Sequence, residues 1–182
     1  NYGNGDLGNQ GVHQMDVAVW GMGRGLPMRI NGVGGRYGYK DQGETPNQLG
    51  AVFDYGDTLL LFETRGLVGK VKEFPFLVAN ELYFEAGMIK GERFFPKGKT
   101  ESEPLANVDY RPPYPGGHFG NFINCVRSRK REELNAEILE GHRSAALCHL
   151  GNISYRFAKE RPFSKPADFS NNNVVGDSIM TL

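Results

Sequence analysis

The sequence has no excess of charge of either sign. Its 21 lysines and arginines are balanced by 21 aspartates and glutamates. Proteins that bind nucleic acids normally carry a basic excess that neutralises phosphates, so this balance argues against a nucleic-acid partner. No apolar run approaches the roughly 20 residues that a membrane-spanning helix needs, so we expect no membrane partner either.

Cysteine is also scarce. Cys125 and Cys148 are the two cysteines of the chain, and both fall in segments whose apolar spacing indicates helices. We therefore expect two buried free thiols rather than a disulfide bridge. The 182 residues, 39% of them hydrophobic, suffice for a single domain over 1–182 with a proper core. No signal peptide is visible, and the sequence leaves the compartment open, cytoplasmic or exported.

A functional dinucleotide-binding loop is missing, although the sequence spells one. Gly3, Gly5 and Gly8 form G-x-G-x-x-G, the motif that places a pyrophosphate between a strand and a helix N-terminus. Only two residues precede Gly3, so no strand is available, and no acidic residue ends a second strand about 20 positions later. We interpret these glycines as a turn-rich entry segment and assign no cofactor-binding residue to this chain.

Turn residues divide the chain into a helix, a run of strands and two closing helices. The first helix begins after Asn9 as N-cap and ends at the glycines of 21–25. Strand-like runs follow at 28–39, 48–55, 58–66 and within 74–95. A Gly56-Asp57 turn joins the second and third of these strands in a hairpin, and the stretch 97–117 is irregular.

The two closing helices carry predicted apolar stripes. The helix over 118–130 has Phe119, Phe122, Ile123 and Val126 on one face. The helix over about 136–160 has Leu139, Ala146, Leu150, Ile153 and Phe157 on one face, and Pro162 ends it. Residues 165–182 form a polar tail. This order predicts an α+β fold, a mostly antiparallel open sheet with helices packed on one face, whose other face needs a partner.

His13 is the foremost candidate for chemistry. It lies in the first turns of the helix capped by Asn9, with Asp16 three residues later. The helix N-terminus disfavours the imidazolium ion, so a neutral imidazole could take a proton from a substrate hydroxyl while Asp16 holds the ring. A histidine that only completes a hydrogen-bond network is the alternative. No third ligand is obvious beside His13 and Asp16, so we predict no metal site.

A second group of candidates could form a substrate wall. Arg36, Tyr37 and Tyr39 lie close together at a strand end, where an arginine and tyrosines can bind polyols or anions. An ordinary strand margin is the alternative interpretation of this stretch. His118 opens the helix that follows two glycines, where it either caps the helix or faces a cleft.

Four blocks spread over most of the chain occur in a family-specific order: GNGDLGNQGVHQMDVAVWGMG, GGRYGYKDQGETPN, HFGNFINCVRSRK and EGHRSAALCHLGNISYRFAKERPF. They resemble the C-terminal domain of the Gfo/Idh/MocA oxidoreductases, the family of glucose–fructose oxidoreductase and inositol dehydrogenase, and in particular a bacterial subgroup of dehydrogenases. Members join this domain to an N-terminal Rossmann domain that binds NAD or NADP.

The resemblance implies that the chain is an excised C-terminal, substrate-binding and oligomerisation domain. Its parent would be an NAD(P)-dependent oxidoreductase acting on a sugar, a polyol or a related hydroxy compound. The chain alone would be inactive, because the cofactor loop and the family's catalytic lysine belong to the Rossmann domain of the same polypeptide. The open sheet face commonly contacts other subunits in relatives, which implies a homo-oligomer.

The family motif D-x-x-x-H-x-x-D matches this sequence with one departure. His13 takes the place of the proton-transferring histidine and Asp16 that of the last aspartate, whereas Asn9 replaces the first. Asparagine cannot carry the negative charge that would help orient or charge the imidazole, so the proton relay differs or the chemistry is altered. We predict His13 as the acid–base residue of the catalytic site, with Asn9 and Asp16 orienting it. Two alternatives remain open: an NAD-dependent glycosidase of the same family, and a non-catalytic sugar-binding or assembly module, which the Asn9 substitution favours.

Overall fold

The computed structural model describes residues 3–67, 78–105 and 114–157 of the chain. These residues form an α+β fold, as the sequence predicts. The helices are α1 (Gln10–Met22), α2 (Gly117–Ser128) and α3 (Ile138–Phe157). The strands are β1 (Arg29–Gly35), β2 (Gln48–Asp54), β3 (Leu59–Arg65), β4 (Glu81–Phe84), β5 (Gly87–Lys90), β6 (Arg93–Pro96) and β7 (Glu103–Pro104). Short 3-10 turns lie at Gly5–Leu7 and Arg131–Glu133.

The first three strands form an antiparallel sheet in the order β1-β2-β3. Its two faces follow from the alternation in β2, where Leu49, Ala51 and Phe53 are buried and Val52 points to the other side. Side chains alternate across a strand, so each partner residue in the register shares the face of the residue opposite it. The hairpin of β2 and β3 that the turn at Gly56 and Asp57 predicts is confirmed.

The core lies between this sheet and the helices α1 and α3, which also pack against each other. Its fully buried side chains come from all of these elements and from the turn before α1: Leu7, Met15, Val19, Leu49, Ala51, Phe53, Leu147 and Cys148. Burial of this one cluster therefore joins the amino-terminal turn, the sheet and the last helix into one unit.

Helix α3 approaches β1 so closely that the two backbones touch. A Cβ added to Gly32 would lie 2.9 Å from the carbonyl oxygen of Gly151 and 3.2 Å from the nitrogen of Tyr155. The Ser154 hydroxyl accepts a hydrogen bond of 2.9 Å from the N–H of Gly32. Glycine at position 32 is what allows the helix to lie directly on this edge strand.

The buried face of α3 differs from the predicted one. Ser144, Leu147, Cys148 and Gly151 are buried, whereas Ile153 and Phe157 of the predicted stripe are exposed. Three of the four buried residues are small, and Leu147 is the one large side chain among them. The predicted stripe followed the large apolar residues of α3 and therefore differs from the face that is buried.

The expected single sheet is divided into two sheets within the described residues. The strands β4 to β7 form a separate antiparallel meander in the order β4-β5-β6-β7. Each of these short strands pairs with its neighbour in sequence, so the meander satisfies its ladder hydrogen bonds without joining the first sheet. It reaches the rest of the fold at α1, where Leu82 lies against Gly21 and the Asn80 amide donates to the Gln14 carbonyl.

Helix α2 presents its apolar stripe to solvent. The four residues of this stripe are all exposed, Phe119 to 70%. The buried side of the helix is instead Asn121 and Cys125. The Asn121 amide donates to the Glu133 carbonyl and accepts from the N–H of Asn135, so this side chain joins α2 to the segment that follows it. The predicted packing of this stripe on the sheet is therefore wrong within the described chain.

The two cysteines confirm the expectation of free thiols. Cys125 and Cys148 are both buried and unbridged, and burial raises the pKa of the Cys148 thiol to about 11. The polar tail predicted over 165–182, the predicted helix end at Pro162 and part of the strand region within 74–95 lie outside the described residues. Among the residues that the structure describes, no helix is long and apolar enough to cross a membrane.

Candidate functional site

The glycine-rich entry segment forms a tight turn that is anchored at both ends. Gly5 adopts a left-handed φ of 63°, and its Cα lies so close to Thr45 that an added Cβ would clash with that side chain. The Asn4 amide lies 2.9 Å from the Nδ1 of His149 and accepts from the Asn152 amide at 3.0 Å. These contacts place the beginning of α1 beside both α3 and the loop between β1 and β2.

Asn9 occupies the N-cap position of α1, as the sequence predicts. Its side chain makes no capping hydrogen bond, and its backbone N–H donates to the Gly5 carbonyl at 3.0 Å. The preceding 3-10 turn therefore supplies the contact that starts the helix. The Asn9 side chain is exposed at this point of the surface.

His13 is exposed in the second turn of α1. Val17 and Trp20 follow it at helical spacing on the same face, and both are exposed, Trp20 to 86%. Within the described part of the chain, the His13 side chain takes part in no hydrogen bond, so both ring nitrogens remain open to a ligand. We call the surface formed by His13, Val17 and Trp20 the His13 stripe.

Asp16 is engaged with α3 in the structure. Its Oδ1 accepts a hydrogen bond of 2.7 Å from the hydroxyl of Ser144, a buried residue of α3. The predicted contact in which Asp16 holds the His13 ring is absent among the described hydrogen bonds. Asp16 therefore lies in the neighbourhood that the sequence indicates, but its carboxylate binds a different partner.

The Arg36 side chain binds residues of the loop between β1 and β2. Its guanidinium forms a two-pronged ion pair with Asp41, in which Nε lies 2.7 Å from Oδ1 and the terminal nitrogen contacts Oδ2. Its other terminal nitrogen donates to the Thr45 carbonyl at 2.9 Å, and the ring of Tyr39 lies 5.5 Å away. These contacts raise the pKa of Arg36, chiefly through the hydrogen bond to Asp41. With so many donors used, Arg36 shapes the loop in this structure.

The same loop presents the two tyrosines outward. Asn47 is buried, and its amide bonds both the N–H and the carbonyl of Tyr37. This pairing fixes the backbone of Tyr37 while the rings of Tyr37 and Tyr39 remain more than half exposed. A loop clamped from inside, with two aromatic faces outside, can contact the apolar face and the hydroxyls of a ring-shaped ligand. Tyr37 and Tyr39 therefore remain candidates for the substrate wall.

The Asp41 carboxylate should make this loop sensitive to acid. The hydrogen bond from Arg36 and then that from the N–H of Gly43 lower the pKa of Asp41. A lowered folded-state pKa means that the stabilisation is complete above the unfolded value of about 4 and is lost as the pH falls through the folded value. We expect the Gly43 amide resonance to move as the pH falls below about 4.

Two substitutions test this assignment by NMR titration of the Gly43 amide. Asp41→Asn removes the titrating group and should abolish the acid-dependent movement. Asp6→Asn changes another exposed aspartate and should leave the movement intact. A Gly43 titration that persists in Asp41→Asn would show that another group controls the loop.

His118 is separated from this surface by its place on α2. It lies in the first turn of α2, exposed, with its ring 4.2 Å from that of Phe119. The main contacts of α2 within the described residues are with the turn Arg131–Glu133. The structure thus joins the start of α1 to the loop of Arg36, whereas the described hydrogen bonds and ring contacts of His118 include neither.

The structure adds three residues to the candidate site that sequence reasoning missed. Ser144 bonds to the predicted site residue Asp16 and Asn47 to Tyr37, whereas Asn4 joins the turn before α1 to Asn152 of α3. The available signal was a polar side chain placed between apolar residues, as Ser144 stands shortly before Leu147 and Cys148. Such a residue needs a partner when it is buried, but its partner lies 128 positions away and cannot be read from spacing.

The face of the three-stranded sheet opposite the helices is open. It carries Val33, Val52, Leu59 and Leu61, all of them exposed. A shallow depression on this face is lined in part by Asn31 and by Arg29 and Asp54, which form an ion pair of 2.9 Å. The face thus combines apolar side chains with charges of both signs.

In the described part of the chain, no group of three or more His, Cys, Asp or Glu side chains is arranged to hold a metal ion. Comparisons of the chain with known protein families, with curated proteins and with solved structures found no match.

Proposed function

We propose that the chain is the substrate-binding and oligomerisation domain of an NAD(P)-dependent oxidoreductase that acts on a sugar, a polyol or a related hydroxy compound. In this proposal His13 is the acid–base residue, Tyr37 and Tyr39 belong to the substrate wall, and a Rossmann domain of the same polypeptide binds the nicotinamide cofactor. The resemblance of the four sequence blocks to the Gfo/Idh/MocA oxidoreductases supports it.

The single structural observation that carries the proposal is the exposed His13 stripe. A histidine with both ring nitrogens open, next to Val17 and a Trp20 that is 86% exposed, has the composition of a surface that a second domain covers. A tryptophan side chain is rarely so exposed on a surface that has no partner, because burial of its large apolar ring is favourable. Covering the stripe would also exclude water from His13, which general acid–base chemistry exploits.

The open face of the three-stranded sheet supports the oligomeric part of the proposal. Leu59 and Leu61 are each more than 60% exposed, and the pair Arg29–Asp54 places both charges beside them. A face that carries both signs can meet a second copy of itself, since each charge finds its opposite across a two-fold axis.

The first test is the coding sequence upstream of Asn1, over about 150 codons, the length of one domain. The proposal expects a strand, a G-x-G-x-x-G turn and a helix there, with a lysine-bearing motif later in the same domain. The corresponding full-length protein should then reduce NAD or NADP when it is offered a panel of sugars and polyols.

Other outcomes would replace the proposal with one of its alternatives. Turnover of a glycoside through a keto-sugar or unsaturated intermediate, without net formation of reduced nicotinamide, would indicate the glycosidase. A coding sequence that begins immediately before Asn1 would leave no cofactor domain, and a binding or assembly module would then be the better account.

A further inference from the structure

The turn of α1 that carries His13 is held from outside the helix on two sides. On one side Ser144 of α3 donates its hydroxyl to Asp16 at 2.7 Å. On the other, the Asn80 amide donates to the carbonyl of Gln14 at 2.8 Å. Asp16 and Gln14 are the residues three after and one after His13, so both tethers act on the helical turn that includes the imidazole.

Ser144 is better placed than an ordinary helical serine. It is 2% exposed, and its oxygen lies 3.0 Å from the Glu140 carbonyl, the contact that helical serines commonly make. A hydroxyl has one hydrogen, however, and a carboxylate is the stronger acceptor. The shorter contact with Asp16 therefore decides the orientation of the hydroxyl, which links α3 to α1.

This link bears on the position of His13, because His13 and Asp16 lie on the same helical turn. The His13 side chain has no hydrogen bond of its own within the described residues, so its direction depends on the rotation and position of α1. Met15, which is buried next to Asp16 in the sequence, fixes the apolar side of the same turn. Among the described residues, the pair of Ser144 and Asp16 alone fixes the turn through a directional side-chain bond to α3.

We propose that Ser144 is a positioning residue for His13, acting through the carboxylate of Asp16. This inference rests on the proposed function for its catalytic consequence, but the tether itself does not. Asp16 then serves to orient the helical turn, and it does so without contacting the imidazole. The same arrangement also keeps a negative charge on the α3 side of the helix.

The test combines hydrogen–deuterium exchange and turnover in the full-length protein. Ser144→Ala should speed amide exchange across residues 12–19 by about tenfold, the effect of losing one hydrogen bond to a charged group. It should lower kcat for the best substrate of the sugar and polyol panel by a similar factor, with KM within about twofold. Asp16→Ala removes the acceptor at an exposed position and should speed exchange in the same residues, even where Ser144→Ala folds poorly.

Two further variants separate positioning from general loss of stability. Ser154→Ala removes another hydroxyl from α3, the one bonded to the N–H of Gly32, and should change neither exchange in residues 12–19 nor kcat. Asp16→Asn keeps an acceptor oxygen for Ser144 but not its charge, and should give exchange between that of Asp16→Ala and that of the unaltered protein.

Unchanged exchange in both Ser144→Ala and Asp16→Ala would overturn the tether, whatever the protein catalyses. Faster exchange with unchanged kcat would overturn the positioning role. Full activity in His13→Ala is a different result, because it would overturn the acid–base role of His13 within the proposed function and leave the exchange measurements to decide the tether.

Discussion

Replacing Gly32 with alanine should lower the free energy of unfolding by about 2 to 3 kcal/mol, the cost of overpacking a close contact. The added Cβ would lie 2.9 Å from the Gly151 carbonyl oxygen and 3.2 Å from the Tyr155 nitrogen. Both atoms belong to the backbone of α3, so no side chain can rotate away and the helix itself must shift from the sheet. Urea unfolding of the chain measures the change.

Gly50→Ala is the matched control for this prediction. Gly50 lies in β2 of the same sheet, and the nearest atom to an added Cβ is the Val33 carbonyl oxygen at 4.0 Å. We expect its effect to remain within about 0.5 kcal/mol, the range of substitutions that create no contact. Equal stabilities for the two variants would mean that α3 does not rest on β1 as closely as described.

Replacing His13 with alanine in the full-length protein should lower nicotinamide-dependent turnover by about 10²- to 10⁴-fold, the usual contribution of a general acid or base. Proton removal from a substrate hydroxyl would lose its acceptor, whereas folding should be nearly unaffected because the His13 side chain is exposed. Nicotinamide absorbance measures turnover, and thermal unfolding of the same samples checks the fold.

His142→Ala provides the control for the His13 substitution. His142 is also exposed and helical, but it lies on α3, and its loss should leave turnover unchanged. If His13→Ala retains the turnover of the unaltered protein, His13 takes no part in chemistry. Another residue would then carry out the acid–base step, whereas absence of turnover in the unaltered full-length protein would favour the sugar-binding or assembly module.

The strands and their pairing were the most predictable part of the fold. The alternation of Leu49, Ala51 and Phe53 with polar or small neighbours gives the period of two that a strand with one buried face requires. The turn at Gly56 and Asp57 requires a residue that tolerates positive φ, and Gly56 adopts a φ of 91°. The alternation and the turn both depend on near neighbours in the sequence, and the structure contains the strand and the turn that they predict.

The helices were predictable in extent but not in orientation. Glycines end α1 and precede α2 in the sequence, and the structure places the helix boundaries there. The buried faces of α2 and α3 differ from the predicted stripes, because periodicity reports which residues are apolar and not which surface lies opposite. On α3, a Cβ added to Gly151 would lie 3.3 Å from the side chains of Leu7 and Phe53, so the small residue there depends on core residues that are distant in the sequence.

The candidate site shows the same division. The spacing of the motif identified His13 as a candidate. Arg36 and Asp41 lie in a single loop, where an ion pair can form between near neighbours in the sequence. The partner of Asp16 was not accessible in this way, since an exposed carboxylate three residues after a histidine can bind either the ring or another helix. The packing of α1 against α3 places Ser144 within hydrogen-bond distance of Asp16.

By itself, the sequence determined the balance of charge, the α+β class, the boundaries of the first helix and the hairpin of β2 and β3. All of these follow from residue composition and from contacts between near neighbours. The tertiary structure alone decided which helix faces are buried, that the strands form two sheets, and that Asp16 bonds to Ser144. Those features depend on which distant backbones can approach each other, and that is fixed by the packing of Gly32 and Gly151 and of the core around Phe53, not by any local pattern.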